Sequence, residues 1–143
     1  MKLYLNVVEV AIEHDEKFLI IKRPEGKNAG GLLAFPGGKV EGIDEQNEWD
    51  ILRLAGKREI LEEVGLDLKD DLKYITNNHF VHDSGAHVIK TIFHCKIEKT
   101  NLTINASPLE VAEYYWLTDK QIHHAHNALY WLKKSVQYIR QGL

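Results

Sequence analysis

Apolar residues fall in blocks along this chain, and their period changes from block to block. From Leu3 to Ile12, Val, Leu and Ile dominate, interrupted by Asn6 and Glu9; Lys17 to Lys22 holds a second short apolar run. His14, Asp15 and Glu16 between them predict a hairpin turn. Residues 24–31 (Pro, Glu, Gly, Lys, Asn, Ala, Gly, Gly) have the composition of a loop. Leu32 to Phe35 predicts a brief strand ending at Pro36, within a turn-forming Phe35, Pro36, Gly37, Gly38, Lys39. From about Asn47 to Val64 the period is helical, with Leu54, Ile60, Leu61 and Val64 expected opposite three glutamates. Gly65 suits a left-handed stop after that helix. Tyr74 to Val81 and His87 to Ile97 predict two strands around an Asp83, Ser84, Gly85 turn. Val111 to Trp116 predicts another strand, and Ala128 to Ile139 an amphipathic closing helix. Strands interleaved with two substantial helices predict an α/β layered domain, without repeats, linkers or low-complexity tracts.

Composition narrows the partners. The 143 residues suit a single domain, 1–143, and 44% hydrophobic content predicts a globular chain. A formal net charge of −3 gives no support to a nucleic acid polymer as partner, because non-specific binders need a basic surface. The lone Cys95 allows no internal disulfide and no thiolate metal site, which fits a reducing compartment. Its strand-like surroundings predict a small buried hydrophobe. No small-residue cleavage site follows the N-terminal run, and no apolar stretch approaches the ~20 residues of a membrane span. A cytoplasmic protein without a membrane partner is expected.

The candidate chemistry lies in Arg58, Glu59, Ile60, Leu61, Glu62, Glu63, Val64, Gly65 and Leu66. On a helix, positions 59, 62 and 63 project into an arc of roughly 100°. Like charges spaced i and i+4 cost about 0.2–0.5 kcal/mol per pair. A divalent cation reverses that sign, and hard oxygen ligands at one spot suit Mg²⁺ or Mn²⁺.

The stretch from Gly38 to Leu66 resembles the Nudix hydrolase signature: Gly, five residues, Glu, seven residues, then Arg-Glu-U-x-Glu-Glu-x-Gly-U, with U aliphatic. The second half is matched at every specified position. Phe35 to Glu41 is similar to the wording of MutT-type members, and Glu110 to Trp116 to the family's acidic loop entering a late strand. One departure stands out, since the chain has six residues more than the pattern between Gly38 and Arg58. Counting forward from Gly38 puts Asp44 at the first Glu position, and counting back from Arg58 puts Asp50 there. The backward count also sets Ala55 where the family favours a small residue, placing the insertion near Gly42 to Glu48. A helix extended by the insertion would turn Asp50 away from Glu59.

The resemblance implies a Nudix-type α/β/α sandwich with a mixed sheet between helices. It implies hydrolysis of a nucleoside diphosphate linked to another moiety, a nucleoside triphosphate or modified nucleotide, within its pyrophosphate by a metal-activated water. Glu59, Glu62 and Glu63 would be the main ligands of Mg²⁺ or Mn²⁺, one of them accepting the water's proton. Arg58, one i+4 step before Glu62, would orient them through an ion pair. Gly37 or Gly38 could present a carbonyl to the metal. Glu110 matches a further loop ligand or is a solvated acid. Arg23 and Lys39 could hold phosphate oxygens or be solvated surface charges. Phe35 could stack on a base or pack in the core. Asn127, expected to open the last helix, resembles an amide that reads a purine edge, or is an N-cap. His123, His124 and His126 lack a second ligand arm and are expected as exposed loop residues. Phe80, Val81 and His82 stand where ADP-ribose or dinucleoside-polyphosphate members carry an added Pro or Tyr, and support neither. Tyr130, Trp131 and Tyr138 permit a homodimer contact or packing on the sheet. The other class of function is a Nudix-fold binding or regulatory module without turnover; a P-loop hydrolase is excluded by its missing motif.

Overall fold

The N-terminal apolar run becomes the spine of a mixed sheet. In the computed structural model, which describes residues 1–26, 29–98 and 102–142, it forms β1 (Tyr4–His14). The elements after it are β2 (Lys17–Lys22), β3 (Leu33–Ala34), β4 (Gly37–Lys39), α1 (Gly42–Glu45), α2 (Ile51–Val64), β5 (Lys73–Val81), β6 (His87–Lys96), β7 (Glu113–Leu117), α3 (Asp119–His124) and α4 (Tyr130–Gln141). Of the expected loop over 24–31, residues 27 and 28 lie outside the described residues.

The strand order is β3-β2-β1-β6-β5, with β4 paired to β1 and β7 to β2. β1 runs parallel to β6, while its pairings with β2 and β4 are antiparallel. Side chains alternate across a strand, so β1 feeds two cores. Val8, Val10 and Ile12 pack with Leu19, Ile21, Phe93 and Cys95 against Ala55, Ile60 and Val64 of α2. Ala11 packs with Phe18, Ile20, Leu33 and Phe35 against Ile122 of α3 and Leu132 and Val136 of α4. The mixed sheet is thus sandwiched between α2 and the α3–α4 pair. Coverage of both faces explains why β1 and β2 read as apolar runs rather than alternating ones. Cys95 is buried, as its setting predicts.

Several local expectations are corrected. The glycine turn contains a strand: β4 pairs Gly37, Gly38 and Lys39 with Glu9, Val8 and Val7. The helix expected from Asn47 begins only at Ile51, because Glu48 and Asp50 both take left-handed backbone (φ 63° and 55°), and the short α1 before it was not expected. On α2 the apolar side does not oppose all three acids. Glu59 and Glu63 are buried with Ile60 and Val64, while Leu61 is exposed. α4 begins at Tyr130 with Leu129 as N-cap, so Asn127 does not open it. His123 and His124 are exposed but close a short helix, α3, rather than lying in a loop; exposed His126 follows it. Thr118 and Gln121 cap that helix reciprocally, a signal present in the sequence. At the start of α4, Tyr130 is exposed, whereas Trp131 lies over Lys90 of β6. Among the described residues no helix is long and apolar enough to cross a membrane.

Candidate active site

Two glutamates of α2 lie against the glycines of β4. The Gly37 amide donates to Glu63 Oε2 at 3.1 Å. A Cβ on Gly38 would overlap the Glu59 carboxylate, so glycine is what lets backbone and acid meet. Glu59 and Glu63 are only 6% and 5% exposed. Burial pushes the Glu63 carboxyl up to about 8; the Glu59 and Glu110 charges add to it, while the Gly37 amide and the Arg23 charge oppose it. Burial also raises Glu59, against the pull of Arg58 and with the push of Glu62 and Glu110. Glu110 is exposed yet within electrostatic reach of both acids. Its loop is tied to the end of α2, where the Ser107 amide donates to the Glu63 carbonyl at 2.7 Å. Gly65 ends α2 at φ 73°, its amide bonded to the Leu61 carbonyl.

Arg58 gathers the remaining acids. Its Nε and Nη2 donate to the two oxygens of Asp44 at 2.9 and 3.0 Å, and Nη2 also donates to the Lys39 carbonyl at 2.9 Å. Nη1 reaches Glu62 at 2.9 Å and Glu59 at 3.0 Å. Burial would raise the Asp44 carboxyl, but Arg58 and the Glu41 amide together hold it below the usual range. Asp50 sits instead at the exposed start of α2, paired to Arg53 at 3.0 Å. The forward count from Gly38 therefore identifies the acid that Arg58 uses. On that count the extra residues lie beyond Asp44.

A family model of the NUDIX domain matches residues 3–138. The chain belongs to the Nudix hydrolase family. A stretch of 63 residues is 40% identical to the CTP pyrophosphohydrolase of Escherichia coli (strain K12), covering 44% of this chain and 42% of that protein. The match thus spans less than half the length of that curated relative. In fold the chain is similar to the MutT protein from Methanosarcina mazei Go1 (TM-score 0.79, 22% identity, 99% of this chain and 96% of that one). It is also similar to a bifunctional NMN adenylyltransferase/ADP ribose pyrophosphatase from Francisella tularensis, complexed with AMP and a manganese ion (TM-score 0.69, 18% identity, 98% of this chain and 41% of that one).

The remaining Nudix candidates divide. Arg23, just past β2 and half-buried, lies close enough for its charge to act on Glu63 and on Glu9. Lys39 is exposed on β4, and its carbonyl rather than its ammonium serves Arg58. Phe35 is a core residue: it is buried edge-on against Phe18, centroids 5.6 Å apart, and has no face to offer a base. Asn127 Nδ2 donates to the Gly31 carbonyl at 3.1 Å, tying the loop after β2 to the approach of α4 rather than capping that helix. Two residues beside the site, Glu9 and Lys90, escaped sequence reasoning. Their signal was a charge inside an otherwise apolar strand.

Nudix hydrolases generally use divalent metals. Glu59 and Glu62 meet at the same Arg58 nitrogen, while Glu63 turns to the Gly37 amide. Among the described residues no group of three His, Cys, Asp or Glu side chains is placed to hold a metal as it stands. The donor chemistry nevertheless fits. Glu59 and Glu63 are buried hard-oxygen ligands whose charge is disfavoured where they lie, and a dication would offset that cost.

Proposed function

We propose that this Nudix protein is a pyrophosphohydrolase acting on a nucleoside diphosphate linked to another moiety, such as a nucleoside triphosphate or a modified nucleotide. Water adds across the P–O–P anhydride, one P–O bond breaks, and two phosphate-terminated products leave. The observation that carries this reading is the buried Glu59–Glu63 pair, seated on the β4 glycines with Glu63 pushed up to about 8. Mg²⁺ or Mn²⁺ suits such oxygen donors, and Glu59, Glu62, Glu63 and Glu110 with a carbonyl of Gly37 or Gly38 would hold it. When bound, the cation neutralises charge on the phosphate oxygens and acidifies a water. One of Glu59, Glu62 and Glu63 accepts that water's proton, Arg58 orients them, and Arg23 and Lys39 hold phosphate oxygens.

A second reading, a nucleotide-binding module without turnover, is favoured by the Arg58 guanidinium, which engages Glu59 and Glu62 together. One assay separates the two. Nucleotides are incubated with Mg²⁺ or Mn²⁺ and released orthophosphate is scored against pyrophosphate. Turnover that falls by roughly 10²–10⁴ in Glu59→Gln and Glu63→Gln, with unchanged circular dichroism, supports the hydrolase. Binding of nucleotide with no turnover in either cation defeats it.

A further inference from the structure

On the sheet face that carries α4, Glu9 of β1 and Lys90 of β6 meet at 3.6 Å. Their side chains are only 15% and 8% exposed, amid the apolar side chains of that face. The separation is too long for a good hydrogen bond, and burial pushes the Glu9 carboxyl up in spite of Lys90 and Arg23. A buried ion pair at this separation contributes little stability; aliphatic residues would fill the same space as well or better. Its position suggests another use. Across the β1–β4 ladder Glu9 faces Gly37, whose amide holds Glu63, and the Arg23 charge acts on Glu9 and Glu63 alike. The backbone of Glu9 is thus the ladder neighbour of the amide that holds Glu63, and Arg23 lies within electrostatic reach of both acids. Lys90 also lies over two aromatic rings, Phe80 at 5.7 Å and Trp131 at 6.0 Å from the centroids. These rings are 39% and 37% exposed, so they offer solvent apolar surface beside the charge.

We propose that Glu9 and Lys90 read the nucleobase of the substrate, the carboxylate accepting from a base N–H and the ammonium donating to the carbonyl or ring nitrogen beside it, between the Phe80 and Trp131 rings. This rests on the pyrophosphohydrolase reading above. A carboxylate only accepts and an ammonium only donates, so the pair suits an edge that sets both kinds of group side by side. At 3.6 Å neither group spends its whole hydrogen-bonding capacity on the other, so each can take a ligand group as well. Each such hydrogen bond is charge-assisted, and losing one costs roughly 10- to 100-fold in affinity.

The test compares wild type with Glu9→Gln, Lys90→Met and the doubly apolar Glu9→Leu/Lys90→Met, which guards against a variant lost to misfolding. Substrates are ATP, GTP, CTP, UTP and ribose 5-triphosphate, which lacks a base. The expected result is a roughly 10- to 100-fold fall in kcat/KM for the best nucleotide relative to the base-free compound, carried by KM, with preference among bases flattened. An unchanged ratio in all folded variants overturns the proposal. If wild type hydrolyses none of these, ordinary triphosphates are not its substrates, and calorimetry with the four nucleoside monophosphates decides. Affinity lost in Lys90→Met supports the pair as a base reader, and equal affinity sinks it.

Discussion

Gly38 and Glu59 share one small volume, and the acid occupies the part that any other residue's Cβ would need. Gly38→Ala is therefore expected to displace the carboxylate and lower turnover about 10²-fold, since small misplacements of a reacting group have effects of that size. Steady-state kinetics beside far-UV circular dichroism would check it; full activity would mean that the Glu59 position is not critical. Asp44 presents the complementary case. Its removal in Asp44→Ala leaves Arg58 without its bidentate partner in a largely buried site, and should lower stability by about 2–3 kcal/mol. Asp50→Ala, at an exposed pair, should stay within about 0.5 kcal/mol. Urea unfolding of both variants measures the contrast, and equal losses would refute the assignment of Asp44 as the working acid.

Between α1 and α2 the chain stores local strain. Glu48 has neither glycine's freedom nor the short polar side chain that eases the left-handed region for Asp50. Glu48→Gly should raise stability by about 0.5–1 kcal/mol, the relief exceeding the added chain entropy, and a melting curve would show it. A drop in melting temperature would mean that the Glu48 side chain contributes more than its backbone costs. Elements of different size were unequally legible. β1, β2, β5, β6, α2 and α4 each carry enough periodic residues to declare themselves. β4 has three residues, two of them glycine, and exists only because β1 lies alongside. The late start of α2, at Ile51 rather than Asn47, was invisible to periodicity, which tracks apolar spacing and not backbone strain.

At the scale of the molecule, Glu13 joins β1, β6 and the two C-terminal helices. Arg140 of α4 donates to both its oxygens at 3.0 and 2.8 Å, His94 of β6 bonds it at 2.8 Å, and Asp119 of α3 grips the same guanidinium at 2.7 and 2.9 Å. Burial would raise the Glu13 carboxyl, yet Arg140 and His94 together hold it below its ordinary 4.5. The unfolded chain thus takes up this proton first, so the contribution to stability is complete above pH 4.5 and is lost as pH falls through the lower folded value. His94 acts in the same direction: burial, with help from Arg140 and Lys73 and against Glu13, lowers it from 6.5. The melting temperature should begin to decline below about pH 6.5 and fall more steeply below about 4.5. Glu13→Gln should flatten the steeper limb in a calorimetric pH series, and an unaltered acid limb would remove Glu13 from the account.

Local order set the strands of the core, the acid-bearing helix with its glycine stop, the layered α/β class and the Nudix resemblance. All of these depend on residue spacing within single elements, which a linear chain displays directly. The tertiary structure decided which Asp serves Arg58, that Glu59 and Glu63 are buried while Glu62 is not, that Phe35 belongs to the core, and that Glu9 and Lys90 pair across β1 and β6. Each of those outcomes depends on burial and charge supplied by another element far along the chain. Spacing states the direction in which a side chain leaves its own helix or strand, and what it meets there is determined only when the layers pack.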